Sequence, residues 1–94
     1  MKISVRFFTR LREITGKREE TLTFPEDEDI TLERVVSVLA EKYGKDFADY
    51  VYDPKTCAIR EFLQFLVNGR NAEDVSTSLS EGDLLAIIPP VGGG

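Results

Sequence analysis

The chain has no histidine, no tryptophan and a single cysteine, Cys57, among its 94 residues. Without histidine there is no imidazole to move protons near neutral pH or to ligate a metal. One cysteine makes no intramolecular disulfide and fits a reducing compartment. As a nucleophile it would have only Lys55 or Arg60 nearby for activation, so Cys57 reads as an incidental or semi-buried residue. No apolar run approaches the roughly 18 residues that cross a bilayer, and Met1 leads straight into a strand-like stretch with no signal-peptide pattern. A soluble cytoplasmic protein away from membranes is expected. No GxxxxGK loop, GxGxxG turn or Cys/His cluster occurs, so no resident nucleotide or metal is expected. The formal charge of −5 argues against nucleic acid as a partner, because binding there comes from neutralised phosphates.

What is present is enough for one small domain with one modest core: 41% hydrophobic residues, including six phenylalanines and three tyrosines. Lys2 to Phe8 alternates, with Ile3, Val5 and Phe7 on one side and Phe8 an aromatic on the polar side. Thr9 to Gly16 predicts a short helical turn closed by glycine. Arg18 to Phe24 alternates again, with Leu22 and Phe24 inward. Glu26 to Asp29 is an acidic block, read as a solvated loop or as an edge that docks on a basic surface. The main helix follows, capped by Thr31 and closed by Gly44, with Leu32, Val35, Val36, Leu39, Ala40 and Tyr43 along one stripe. Lys45 to Arg60 reads as a connection with a helical turn near Phe47 to Tyr50. Phe62 to Val67 is apolar on both faces and predicts a central strand. Asn68-Gly69 predicts a turn, and Ala72 to Leu79 a polar connection anchored by Val75 and Leu79. Leu84 to Ile88 predicts the last strand, with Leu85 and Ile87 on one face.

The element order is strand, strand, helix, connection, strand, strand. It predicts an α+β layer pair, a mixed sheet on one main helix with the N- and C-terminal strands as central neighbours. The domain would run from 1 to 88 and a tail from 89 to 94. Pro89 stops the last strand, and Pro89-Pro90 favours an extended exit. Extended, such a tail reaches about 15–20 Å. Val91, Gly92, Gly93 and Gly94 carry little side-chain bulk, so the tail suits a narrow channel and delivers the Gly94 carboxylate to its far end. A glycine-rich end is otherwise a frayed terminus; here it follows a strand and a Pro-Pro spacer, which favours function.

Val5-Arg6-Phe7-Phe8, Leu11 to Gly16, Val67-Asn68-Gly69, Glu81-Gly82-Asp83 and the Pro89-Pro90-Val91-x-Gly-Gly ending together resemble the molybdopterin synthase small subunit over nearly the whole chain. That family shares the β-grasp fold with thiamine-pathway sulfur carriers and archaeal ubiquitin-like modifiers. The resemblance implies that an E1-like adenylating enzyme, using ATP, activates the Gly94 carboxylate, which then becomes a thiocarboxylate. It implies a non-catalytic, sulfur-carrying subunit that docks on the large subunit of molybdopterin synthase, which supplies the catalytic side chains. Gly93 and Gly94 match the family's diglycine. Phe8, Arg12 and Ile88 match its partner-facing sheet surface, with Pro89, Pro90, Val91 and Gly92 entering the partner; packing of Phe8 and Ile88 beneath the long connection is the other reading. Gly92 departs from the Ser or Thr of many members, and the Lys45–Phe62 connection is similar to archaeal ones. The alternative implied role is a modifier joined to protein lysines through Gly94.

Overall fold

The alternation at the start of the chain becomes β1, Lys2–Phe7, with Ile3, Val5 and Phe7 fully buried. In the computed structural model, which describes residues 1–72 and 74–90, the backbone then turns at Thr9, held at φ 48°. That torsion is strained for a β-branched residue, and it leads directly into α1, Arg10–Thr15. Gly16, left-handed at φ 73°, closes α1 by donating its N–H to the Arg12 carbonyl, a position where a Cβ would be strained. The chain returns as β2, Glu19–Thr23, antiparallel to β1, with Leu22 opposite Ile3. Leu22 and Phe24 are buried.

The helical stripe becomes α2, Leu32–Tyr43. The Thr31 hydroxyl accepts the Arg34 N–H at 3.3 Å, as an N-cap should. Leu32, Val35, Val36 and Leu39 are fully buried, with Ala40 and Tyr43 packed partly against the same core. Each large apolar side chain removed from water in this way contributes about 1.5–3 kcal/mol.

The segment after Gly44 is more ordered than its weak periodicity predicts. It forms α3, Lys45–Val51, a helix of seven residues rather than a single turn near Phe47. Phe47 and Val51, four residues apart, are both fully buried. Phe47 stands edge-on to Phe7 at 6.5 Å between ring centroids and lies 5.9 Å from Tyr43. Two inward residues are enough to fix a short helix when tertiary packing supplies the driving force.

β3 is Gln64–Val67, shorter than the apolar run that predicts it. Leu63 N–H reaches back to the Arg60 carbonyl at 3.3 Å, so the chain is still turning at Phe62. Phe62 is therefore outside the strand and 42% exposed. Val75, predicted as an anchor, is exposed too, while Leu79 is buried. Asn68 and Gly69, both with positive φ, make the two-residue turn into β4, Arg70–Asn71, a strand too short and polar to be seen in the sequence. β5 is Leu84–Ile88, as predicted. The sheet order is β2-β1-β5-β3-β4, with β1 and β5 parallel at its centre and the other pairs antiparallel. Helices cover one face of this mixed sheet: the α+β, β-grasp architecture is the one expected. No helix among the described residues is long and apolar enough to cross a membrane.

Candidate functional site: the open sheet face and the exit of β5

Where β5 points is decided at its beginning. The Glu81 carboxylate accepts the Lys2 N–H at 3.2 and 3.1 Å, and Gly82 N–H donates to the Lys2 carbonyl at 2.8 Å. Asn68 clamps the other side. Its side-chain oxygen accepts Leu84 N–H at 2.9 Å, its amide donates to Asp83 Oδ1 at 2.9 Å, and its backbone N–H donates to the Leu84 carbonyl at 2.8 Å. The Asn68-Gly69 and Glu81-Gly82-Asp83 stretches thus work as fasteners. They lock the register of β5 between β1 and β3, and so fix where its far end emerges.

At that far end Ile88 is half-buried, Pro89 buried and Pro90 half-buried. The exit therefore stays against the domain through the first proline. Val91, Gly92, Gly93 and Gly94 lie outside the described residues. Behind the exit, the face of the sheet away from the helices carries Leu84, Ala86, Ile88 and Leu66, all half-buried. Ala86 pairs with Leu66 on one side and with Arg6 on the other. Continuing the β1–β5 register by one pair brings Phe8 level with Ile88. Within the long connection, Phe47 and Val51 are fully buried. Arg12 lies over the Phe8 ring, 5.2 Å from its centroid, while its Nε donates to the Phe7 carbonyl at 2.9 Å. Phe8, Arg12 and Ile88 are thus brought together on one surface beside the exit.

A second cluster went unread in the sequence. Glu20 lies on the inward face of β2 opposite Val5 and is buried. Lys17 Nζ donates to Glu20 Oε1 at 2.8 Å, the Tyr43 hydroxyl donates to the same oxygen, and Lys42 Nζ sits 2.7 Å from Oε2. Burial alone would push this carboxyl up, but hydrogen bonds from Lys17, Lys42 and Tyr43 outweigh it and hold it down to about 2. Burial and the neighbouring Glu20 push the Tyr43 phenol up to about 12. The cluster ties β2 to the last turn of α2. It lies on the side of β1 away from β5, so it reads as structural.

Because the folded Glu20 carboxyl ionises below its ordinary value of 4.5, its contribution is complete above that pH and is lost as pH falls towards about 2. Glu20→Gln is expected to cost about 1–3 kcal/mol at pH 7, discounted for the half-exposed lysines. Urea unfolding should show the gap between variant and parent closing as the pH drops below 4.5. A gap that stays constant with pH would detach the cluster from acid stability.

Other sequence candidates carry less. Cys57 is exposed rather than semi-buried, in a tight turn where its N–H donates to the Asp53 carbonyl at 2.7 Å. In the acidic block Glu28 pairs with Arg34 at 3.2 Å and Asp29 accepts from Ser78 at 3.1 Å, so part of its charge is used within the chain. Among the described residues no cluster has the ligands to hold a metal ion.

The model of the ThiS family matches residues 5–94. Small archaeal modifier protein 3 of Haloferax volcanii is 28% identical over 97 aligned positions covering both chains completely. The molybdopterin synthase sulfur carrier subunit of Pyrenophora tritici-repentis is 33% identical over 91 positions, covering 97% of this chain and 88% of that one. In the solved structure of SAMP1 from Haloferax volcanii the same fold recurs with a TM-score of 0.86, at 24% identity and full coverage of both chains. A match that starts inside β1 and runs through the terminal glycines takes in both the sheet and the tail: the chain belongs to the ThiS family, a ubiquitin-like group of sulfur carriers.

Proposed function

We propose that this protein carries sulfur on the C-terminal carboxyl group of Gly94, as the small subunit of a molybdopterin synthase. The observation that carries the reading is where the described chain leaves the sheet. The tail follows the central strand in sequence, and that strand is fastened at its origin by Asn68 and Glu81, beside a half-buried apolar surface. A relative named as the sulfur carrier subunit of molybdopterin synthase supports the particular role.

The chemistry follows from the weakness of a carboxylate as an electrophile. A Gly94 carboxylate oxygen attacks the α-phosphorus of ATP on an E1-like adenylating enzyme and pyrophosphate leaves. Hydrosulfide then adds to the acyl carbon, AMP departs with the bonding electrons, and a thiocarboxylate remains. Gly93 keeps the approach free of side chains. Phe8, Arg12 and Ile88 dock the body, while Pro89, Pro90, Val91 and Gly92 lead Gly94 into the partner. The large synthase subunit then takes the sulfur, and the catalytic side chains belong to the partners.

Intact mass after incubation with the adenylating enzyme, ATP and sulfide tests this directly. The gain should equal the mass difference between sulfur and oxygen, and it should disappear when Gly93 and Gly94 are removed. No gain would leave an inert tail on a binding module.

A second reading is a protein modifier, because the relative matched over its full length is named a small archaeal modifier. Here a lysine amine displaces AMP and forms an isopeptide bond. Lysine-linked adducts in cells that vanish without Gly93 and Gly94 would establish that role.

A further inference from the structure

The exit of β5 has two sides, and only one of them is occupied by Phe8 and Arg12. On the other side β3 begins at Gln64, paired with Ile88, and Phe62 lies two residues before it. Phe62 is among the few large apolar residues left exposed. It is not isolated: its ring lies 5.7 Å from that of Tyr50 of α3, tilted by 46°, and the Arg60 guanidinium lies 5.9 Å from its centroid. Arg60 is also held from behind, one Nη donating to the Asp49 carbonyl at 3.1 Å. The arrangement repeats that of Arg12, which is stacked on Phe8 and anchored to the Phe7 carbonyl.

Among the described residues Arg6, Arg10 and Arg34 each pair with a glutamate, whereas Arg12, Arg18, Arg60 and Arg70 form no ion pair. Of these four, only Arg12 and Arg60 lie over an aromatic ring. A guanidinium stacked on a ring and tied to one carbonyl has lost much of its rotamer freedom already, yet keeps two N–H groups in a fork that fits a carboxylate. Arg12 is tied through Nε and keeps both Nη groups; Arg60 is tied through one N–H of Nη2 and keeps its other N–H groups.

The geometry points to Tyr50, Phe62 and Arg60 as a second docking element, which with Phe8 and Arg12 flanks the exit of β5 and receives an adenylating partner that presents carboxylates on both sides of that exit. The inference rests on the reading that Gly94 is activated by such a partner. Apolar rings supply the contact area, and the arginines supply charge steering and register.

The test is ATP–pyrophosphate exchange by the E1-like adenylating enzyme as a function of carrier concentration, using the full chain. Arg60→Glu and Phe62→Ala should each raise KM about ten- to hundredfold with kcat nearly unchanged. Arg60→Lys should fall between, since ammonium keeps the charge but loses the fork. Arg70→Glu, at the opposite end of β3, changes net charge equally and should leave KM within about twofold if position matters more than total charge. Thermal unfolding checks that each variant is folded. An unchanged KM for Arg60→Glu, or an equal rise for Arg70→Glu, overturns the proposal while leaving the activation of Gly94 intact. Loss of self-association with unchanged KM would assign the element to contacts between copies and overturn it as well. Absence of exchange with the parent chain removes the activation reading and this one together.

Discussion

One residue added after Gly94 should abolish activation while leaving the domain as stable as before. On the proposed function the attacking group is the Gly94 carboxylate, and an extra residue turns it into an amide and moves the free acid out of place. Misplacing a reacting atom by even one ångström costs on the order of a hundredfold, and a full residue of extended chain is about 3.3 Å. Exchange of pyrophosphate into ATP should therefore fall by at least about a hundredfold, and the sulfur-for-oxygen mass gain should be lost. Urea midpoints of the two forms should coincide, because the addition lies beyond the proline that closes β5. Turnover of the extended form at the parent rate, with its extra residue still attached, would mean that the chemistry resides elsewhere.

The second large effect is expected in the core. Phe47→Ala should lower stability by about 3–5 kcal/mol, the usual cost of emptying a buried aromatic site. Phe47 is fully buried and lies against both Phe7 of β1 and Tyr43 of α2. A domain this small has roughly 5–15 kcal/mol to lose, and each kcal/mol shifts Tm by about 4–8 °C. A fall of well over about 10 °C is the outcome that calorimetry should record. Below that transition the variant should still be activated, since Phe47 is fully buried and presents nothing to a partner. A change of a degree or two would show that α3 merely drapes the body.

That prediction singles out a segment the sequence conveys poorly. β1, α2 and β5 are legible because each repeats its signal several times: Ile3, Val5 and Phe7 at period two, Leu32, Val35, Val36 and Leu39 at helical spacing. α3 offers only Phe47 and Val51 among Asp46, Asp49 and Lys45, and Asp53-Pro54 soon after suggests loop. Its order comes from what it packs against, which no local pattern reports. Phe62 misleads in the other direction. An unbroken apolar run from Phe62 to Val67 conceals a turn at Arg60 to Leu63, and an exposed ring beside the exit reads as core. Glu20 was within reach, because it shares its parity with Leu22 and Phe24 on the inward face of β2. Charge alone argued for solvent, and Lys17, Lys42 and Tyr43 come together around it only once α2 is docked. The surface of Phe8, Arg12 and Ile88 was legible through family resemblance, and the fold then places the three side by side; the Arg60 side had no such guide.

The parallel pairing of β1 with β5 sets an order of events in the making of this molecule. Residues 4–7 take their central neighbour from residues 84–87, so the middle of the sheet cannot form on a growing chain until those residues have been synthesised. Contacts so distant along the chain slow folding and leave the early strand without its partner in the meantime. A chain broken off before Leu84 would have no strand to seat in the middle of its sheet and would be exposed to proteolysis. The strand that completes the fold is, in this architecture, the same one that leads into the glycines.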